Sequence, residues 1–134
     1  MKSSQKELLT NTHIRIRTKI NKTEDQTKVE NSIRNMMGEK LTIQKTEDNH
    51  LIVEDDLSIL SKINHMIIKN ELEELAAGIL KRNMNESSIR FFINKQAAYN
   101  NTFHMIDENM SSLGDIEFLI ESENPEEVIW WITS

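Results

Sequence analysis

Apolar and polar residues alternate most clearly in two stretches, and these anchor the prediction of the fold. In residues 88–93, Ile89, Phe91 and Ile93 fall on one side, while Arg90, Phe92 and then Asn94 fall on the other. A period of two is the mark of a half-buried strand. Residues 12–20 show the same pattern. Ile14, Ile16 and Ile20 share one face, interrupted by Thr18, and His13, Arg15, Arg17 and Lys19 share the other. Shorter alternations predict strands at 41–46, 50–53, 102–106 and 115–121, the last with Ile116, Phe118 and Ile120 inward. Glu47-Asp48-Asn49 has the composition of a hairpin turn. Asn100-Asn101 suits a tight turn, because asparagine tolerates left-handed backbone. Residues 107–112 read as a loop.

Between these strands the period changes. Val29, Ile33, Met36 and Met37 recur at helical spacing and predict a helix over 24–37 that ends at Gly38. Thr23 with Gln26 matches a capping box, and Glu24 and Asp25 suit the first turn. After Asp55 or Asp56 as a cap, Leu57, Leu60, Ile63 and Ile67 form one apolar stripe, and Leu72, Leu75, Ala76, Ile79 and Leu80 form another. The two stripes predict either one bent helix or two helices joined near Lys69-Asn70. Pro125 opens a last helix, with Asn124 as its cap. Clustered strands with short connections predict an α+β fold, a mostly antiparallel mixed sheet with helices packed on one face. Residues 1–11 read as a polar lead-in and 12–134 as a single α+β domain.

Composition narrows the class. A chain of 134 residues with 37% hydrophobic and 28% charged residues is one globular domain rather than a disordered segment. It has no cysteine, which removes disulfides and thiolate metal sites. No apolar run is long enough for a membrane span, and Met1-Lys2-Ser3-Ser4 does not open an apolar signal region. Both features lead to the expectation of a cytoplasmic protein. The net charge of −6 repels phosphate at long range, so nucleic acid would need a local basic patch.

Asn94-Lys95-Gln96-Ala97-Ala98-Tyr99 resembles the signature of a family of archaeal proteins that carries a predicted RNA-binding label. Ser112-Leu113-Gly114-Asp115-Ile116-Glu117 is similar to that family's second motif, and Thr23-Glu24-Asp25 and the C-terminal tryptophan also fit. The resemblance covers nearly the whole chain from Thr12 onward. It implies a fold like that of ribosomal protein L-five, an association with exosome and ribosome genes, and RNA or a ribonucleoprotein as partner. The family's proline on both sides of the Leu-Gly pair is replaced here by Ser112 and Asp115. Its arginine-rich helix is replaced by a segment carrying Glu71, Glu73, Glu74 and Gly78.

Three sets of residues are candidates for function. Arg15, Arg17, Lys19 and Arg90 with Phe92 would form a cationic sheet face that holds phosphates and stacks a base. Glu117 and Glu121 on the same face would instead pair with those cations across the sheet. The Asn94-Lys95-Gln96 turn could read a base edge and meet a phosphate, or it could satisfy its own backbone. Trp130 and Trp131 cannot both face one side of a short helix, which suits a homodimer interface. The residues give no catalytic constellation, and His13, His50, His65 and His104 lack ligand spacing. The expectation is therefore a non-enzymatic binding module without metal or cofactor. It would associate with RNA or, in the alternative, act as a protein-interaction homodimer.

Overall fold

The computed structural model describes residues 2–108 and 114–134, with side chains described from residue 7. In chain order the elements are α1 (Lys2–Asn11), β1 (His13–Lys19), α2 (Gln26–Met37), β2 (Gln44–Lys45), β3 (His50–Asp56), a 3-10 turn (Leu57–Leu60), α3 (Ser61–Lys69), α4 (Glu73–Arg82), β4 (Ser88–Ile93), α5 (Lys95–Tyr99), β5 (Met105–Ile106), β6 (Ile116–Glu121) and α6 (Pro125–Thr133). Among the described residues the strands form one sheet in the order β2-β3-β1-β6-β4-β5, and every pairing is antiparallel. The expected α+β class therefore holds.

The strands obey their alternation. Ile14 and Ile16 of β1, Leu51 and Val53 of β3, Ile89, Phe91 and Ile93 of β4, and Ile116, Phe118 and Ile120 of β6 are all buried. Phe91 and Phe118 stack with ring centroids 4.6 Å apart. Val29, Ile33 and Met36 of α2, Ile63 and Ile67 of α3, Ile79 and Leu80 of α4, and Val128 and Ile132 of α6 complete the same core. Helices thus cover one face of the sheet, and the residues between the buried ones are left on the other.

Several expectations are corrected. Residues 2–11, read as a polar lead-in, form α1, because Leu8 enters the core and Leu9 packs against it. Asp25, not Thr23, caps α2 by accepting from the Thr27 amide, and Glu24 is drawn into other contacts. The long helical segment is two helices. Glu71 takes a left-handed backbone at φ 56°, and the amides of Glu71 and Leu72 bond back to the carbonyls of Ile68 and Ile67, a Schellman stop. The strands expected at 41–46 and 102–106 shrink to β2 and β5, while β3 runs on to Asp56 because β1 pairs along its whole length. Asn124 serves the start of α6 through its backbone carbonyl, with no side-chain cap. Ser112 and Leu113 of the second motif, and residues 109–112 of the expected loop, lie outside the described residues.

Candidate nucleic-acid interface

Strand register turns the polar positions of β1, β3, β4 and β6 into rows across the uncovered face. One row holds Glu54, Arg15, Leu119 and Arg90, and the next holds Ile52, Arg17, Glu117, Phe92 and Ile106. Lys19 lies farther along β1 opposite His50, and at the other end His13 lies between Asp56 and Glu121. The fold therefore brings Arg15, Arg17, Lys19, Arg90 and Phe92 onto one face. It also brings carboxylates there. Glu117 stands 3.6 Å from Arg17 Nε and 3.7 Å from Arg90 Nε. Glu54 stands 3.7 Å from Arg15 Nε and 3.8 Å from His13 Nε2. Glu121 makes no ion pair among the described residues. These contacts are long and lie between partly exposed side chains, although Arg15 Nε itself is buried, and pairs of that kind contribute about 0–1 kcal/mol each.

The face also carries apolar surface. Ile52, Phe92, Ile106 and Leu119 are only half-buried. At its β4 side a cavity of about 510 Å³ is lined by Ser88, Arg90, Phe92 and Leu119 of the sheet, and by Asn83, Asn85, Asp107 and Glu108 from the neighbouring loops. Asn83 donates to the Asp107 carbonyl at 2.9 Å, and Arg82 reaches the Asp107 carboxylate, so this wall is braced.

The Asn94-Lys95-Gln96 segment is not an open turn. Asn94 caps α5, its side chain accepting from the Ala97 amide at 2.8 Å. Gln96 is exposed, and its carbonyl accepts from Asn100. Lys95, expected to meet a phosphate, is fully buried. Its Nζ donates to the Lys19 carbonyl at 2.7 Å and to Glu24 Oε1 at 3.1 Å, and its backbone amide donates to Asp115 Oδ1 at 3.1 Å. Glu24 Oε1 also accepts from the Asn21 amide and side chain, and Oε2 accepts from the Tyr99 hydroxyl. Burial would push the Glu24 carboxyl up, but the hydrogen bonds from Tyr99, Asn21 and Lys95 outweigh it and hold it below its usual value. Burial lowers the Lys95 ammonium, against the opposing pull of Glu24 and Asp115. Burial and the Glu24 carboxylate together raise the Tyr99 hydroxyl. Residues of all three resemblance motifs meet here: Glu24, Lys95 with Tyr99, and Asp115. Asn35 of α2 fastens the cluster by donating to the Ala98 carbonyl at 2.9 Å. Lys95 packs inward because the Glu24 carboxylate and the Lys19 carbonyl together satisfy its ammonium there.

Sequence reasoning missed Glu54 and the Asn83 and Asn85 wall. Glu54 could have been found by continuing the alternation of residues 50–53 for one more polar position. The asparagines carry no such signal. On the far side of the molecule Trp130 is 59% exposed, whereas Trp131 packs against the core. Trp130 borders a cavity of about 520 Å³ with Ala77, Lys81, Met84 and Glu126.

A family model described as RNA binding matches residues 13–121. The chain is 32% identical over 119 residues to a UPF0201 protein of Methanothermobacter thermautotrophicus, covering 89% of each chain. It is 31% identical over 126 residues to one of Sulfurisphaera tokodaii, covering 91% of this chain and 87% of the relative. The crystal structure of a UPF0201 protein from Methanococcus jannaschii superposes with a TM-score of 0.72 at 24% identity, over 90% of this chain and 92% of that one, a likeness of fold.

Proposed function

The chain belongs to the archaeal UPF0201 family, and from that premise we propose that it is a non-enzymatic, cytoplasmic module that associates with RNA or a ribonucleoprotein through the open face of its sheet. The observation that carries the reading is the gathering of Arg15, Arg17, Lys19, Arg90 and Phe92 on a face that no helix among the described residues covers. Guanidinium groups in weak, solvated ion pairs can exchange a carboxylate for a phosphate at small cost. Lys95 and Asn94 take no part, being spent on the buried cluster and the α5 cap. No helix among the described residues is long and apolar enough to cross a membrane.

The test is a titration against a pool of fluorescent single-stranded and structured RNAs at low and moderate salt. Saturable binding that salt weakens, and that Arg15→Glu with Arg17→Glu abolishes, is the expected result. Absence of binding at low salt, or binding indifferent to both reversals, overturns it.

The exposure of Trp130 favours a second reading, a homodimer through α6. Lys81 and Glu126 flank the tryptophan with opposite charges, as a two-fold contact would use. A solution mass near twice 15.7 kDa, reduced to one copy by Trp130→Ala, is expected; a monomer at high concentration overturns it.

A further inference from the structure

We propose that the open face takes single-stranded rather than duplex RNA, and holds it chiefly by a base placed on Phe92 in the adjoining cavity. The inference rests on the RNA reading above and specifies its ligand.

The charge on the face comes first. Arg15, Arg17, Lys19 and Arg90 share it with Glu54, Asp56, Glu117 and Glu121, four cations against four carboxylates. Glu117 serves two guanidiniums, and Glu54 serves Arg15 and His13. A duplex presents little but phosphates and sugar edges to a protein, so binding one needs a set of uncommitted cations. This balanced face, on a protein of net charge −6, does not offer that.

Its apolar content points the other way. Phe92 is the aromatic of the face, with Ile106 beside it in the row, Leu119 on the diagonal, and Ile52 in the same row three strands away. All are half-open to water, so an unstacked base can cover surface that is otherwise wet. The cavity of about 510 Å³ over Phe92 and Leu119 lies in the range of small-molecule sites and suits one nucleoside. Arg90 on its floor can meet the adjoining phosphate. Asp107 and Glu108 on its wall repel phosphate but accept from base N–H groups and from ribose hydroxyls. What enters is then the nucleoside end, with the backbone left outside beside Arg90 and Arg17. A paired base cannot present itself this way.

Fluorescence anisotropy with a labelled mixed-sequence single-stranded RNA, and with the same strand annealed to its complement, tests the proposal. The expected result is at least about ten-fold tighter binding of the single strand. Its salt dependence should correspond to about one to three phosphates, rather than the six or more of a phosphate-driven contact. Phe92→Ala should weaken the single strand about ten-fold. Phe92→Leu, which keeps apolar volume and the fold, should weaken it similarly, and Phe92→Trp should preserve it. Equal or tighter duplex binding, with Phe92→Leu silent and the arginine reversals still effective, overturns this proposal and leaves the RNA reading standing. Binding of neither RNA overturns both.

Discussion

Arg17 and Lys95 are both cations paired with a glutamate, yet they sit in opposite surroundings. On the sheet face Glu117 lies 3.6 Å from Arg17 Nε with water around the pair. At the end of β1, Lys95 Nζ is 3.1 Å from Glu24, and the two side chains are 0% and 6% exposed. Water already stabilises the first pair, so its members are free to change partners. The second pair has no such substitute, and each member depends on the other. Charge type in a sequence therefore says little about role; depth decides whether a cation recognises a ligand or closes a fold. Glu24, Lys95 and Tyr99 of the resemblance motifs belong to the second kind, whereas Glu117 of the second motif stands on the open face with the first.

The contrast breaks most sharply if the two lysine and arginine sites prove alike. Lys95→Met leaves the Glu24 carboxylate enclosed without its ammonium, and urea denaturation should show a loss of about 3–5 kcal/mol. Arg17→Met should cost under about 1 kcal/mol in the same assay. Equal losses would mean that depth does not separate the regions.

Tyr99→Phe removes one donor to a charged acceptor, an effect of about 1.5–3 kcal/mol at neutral pH. It also sharpens the comparison through pH. The Tyr99 hydroxyl titrates above its ordinary value of 10.0 in the folded protein. Above that value the unfolded chain loses its proton first and binds fewer protons than the folded one. Stability carried by Tyr99 is thus intact below about pH 10 and declines as pH rises toward the folded value. Wild-type protein should lose stability over that alkaline range relative to Tyr99→Phe in paired denaturation curves. Parallel curves would remove Tyr99 from the cluster's energetics.

Smaller effects separate neighbours within one segment. Asn94→Ala should cost about 1 kcal/mol as a lost helix cap, whereas Gln96→Ala, at an exposed position, should fall within about 0.5 kcal/mol of wild type. Trp130→Ala should be the mildest in monomer stability and should be visible mainly in the solution mass.

The sheet was legible in the sequence because a two-residue period is local. Ile14, Ile16, Phe91 and Phe118 needed no knowledge of their partners to be placed inside. The basic face was legible for the same reason, and so was half of its neutralisation, through Glu117. Elements that depend on distant chain were not. Leu8 and Leu9 form no period, and α1 exists because the core receives Leu8. The capping box pointed to Thr23, yet Asp25 caps α2 while Glu24 turns to Lys95 and Tyr99. Lys95 stands in a polar run that looks like an exposed turn, and its carboxylate and carbonyl partners lie at Glu24 and Lys19, at the far end of β1. Spacing along the chain cannot report that closure.

The making of the molecule depends on one long-range pairing. At the centre of the sheet β1 lies against β6, with His13 opposite Glu121 and residues 14–120 between them. A chain leaving the ribosome exposes the first strand early and must wait through most of translation for that neighbour. Until then the apolar edge of β1 is on offer to any other nascent chain. The like charges of Arg15, Arg17 and Lys19 on its outer side then act during synthesis, keeping a half-built sheet from finding the wrong companion.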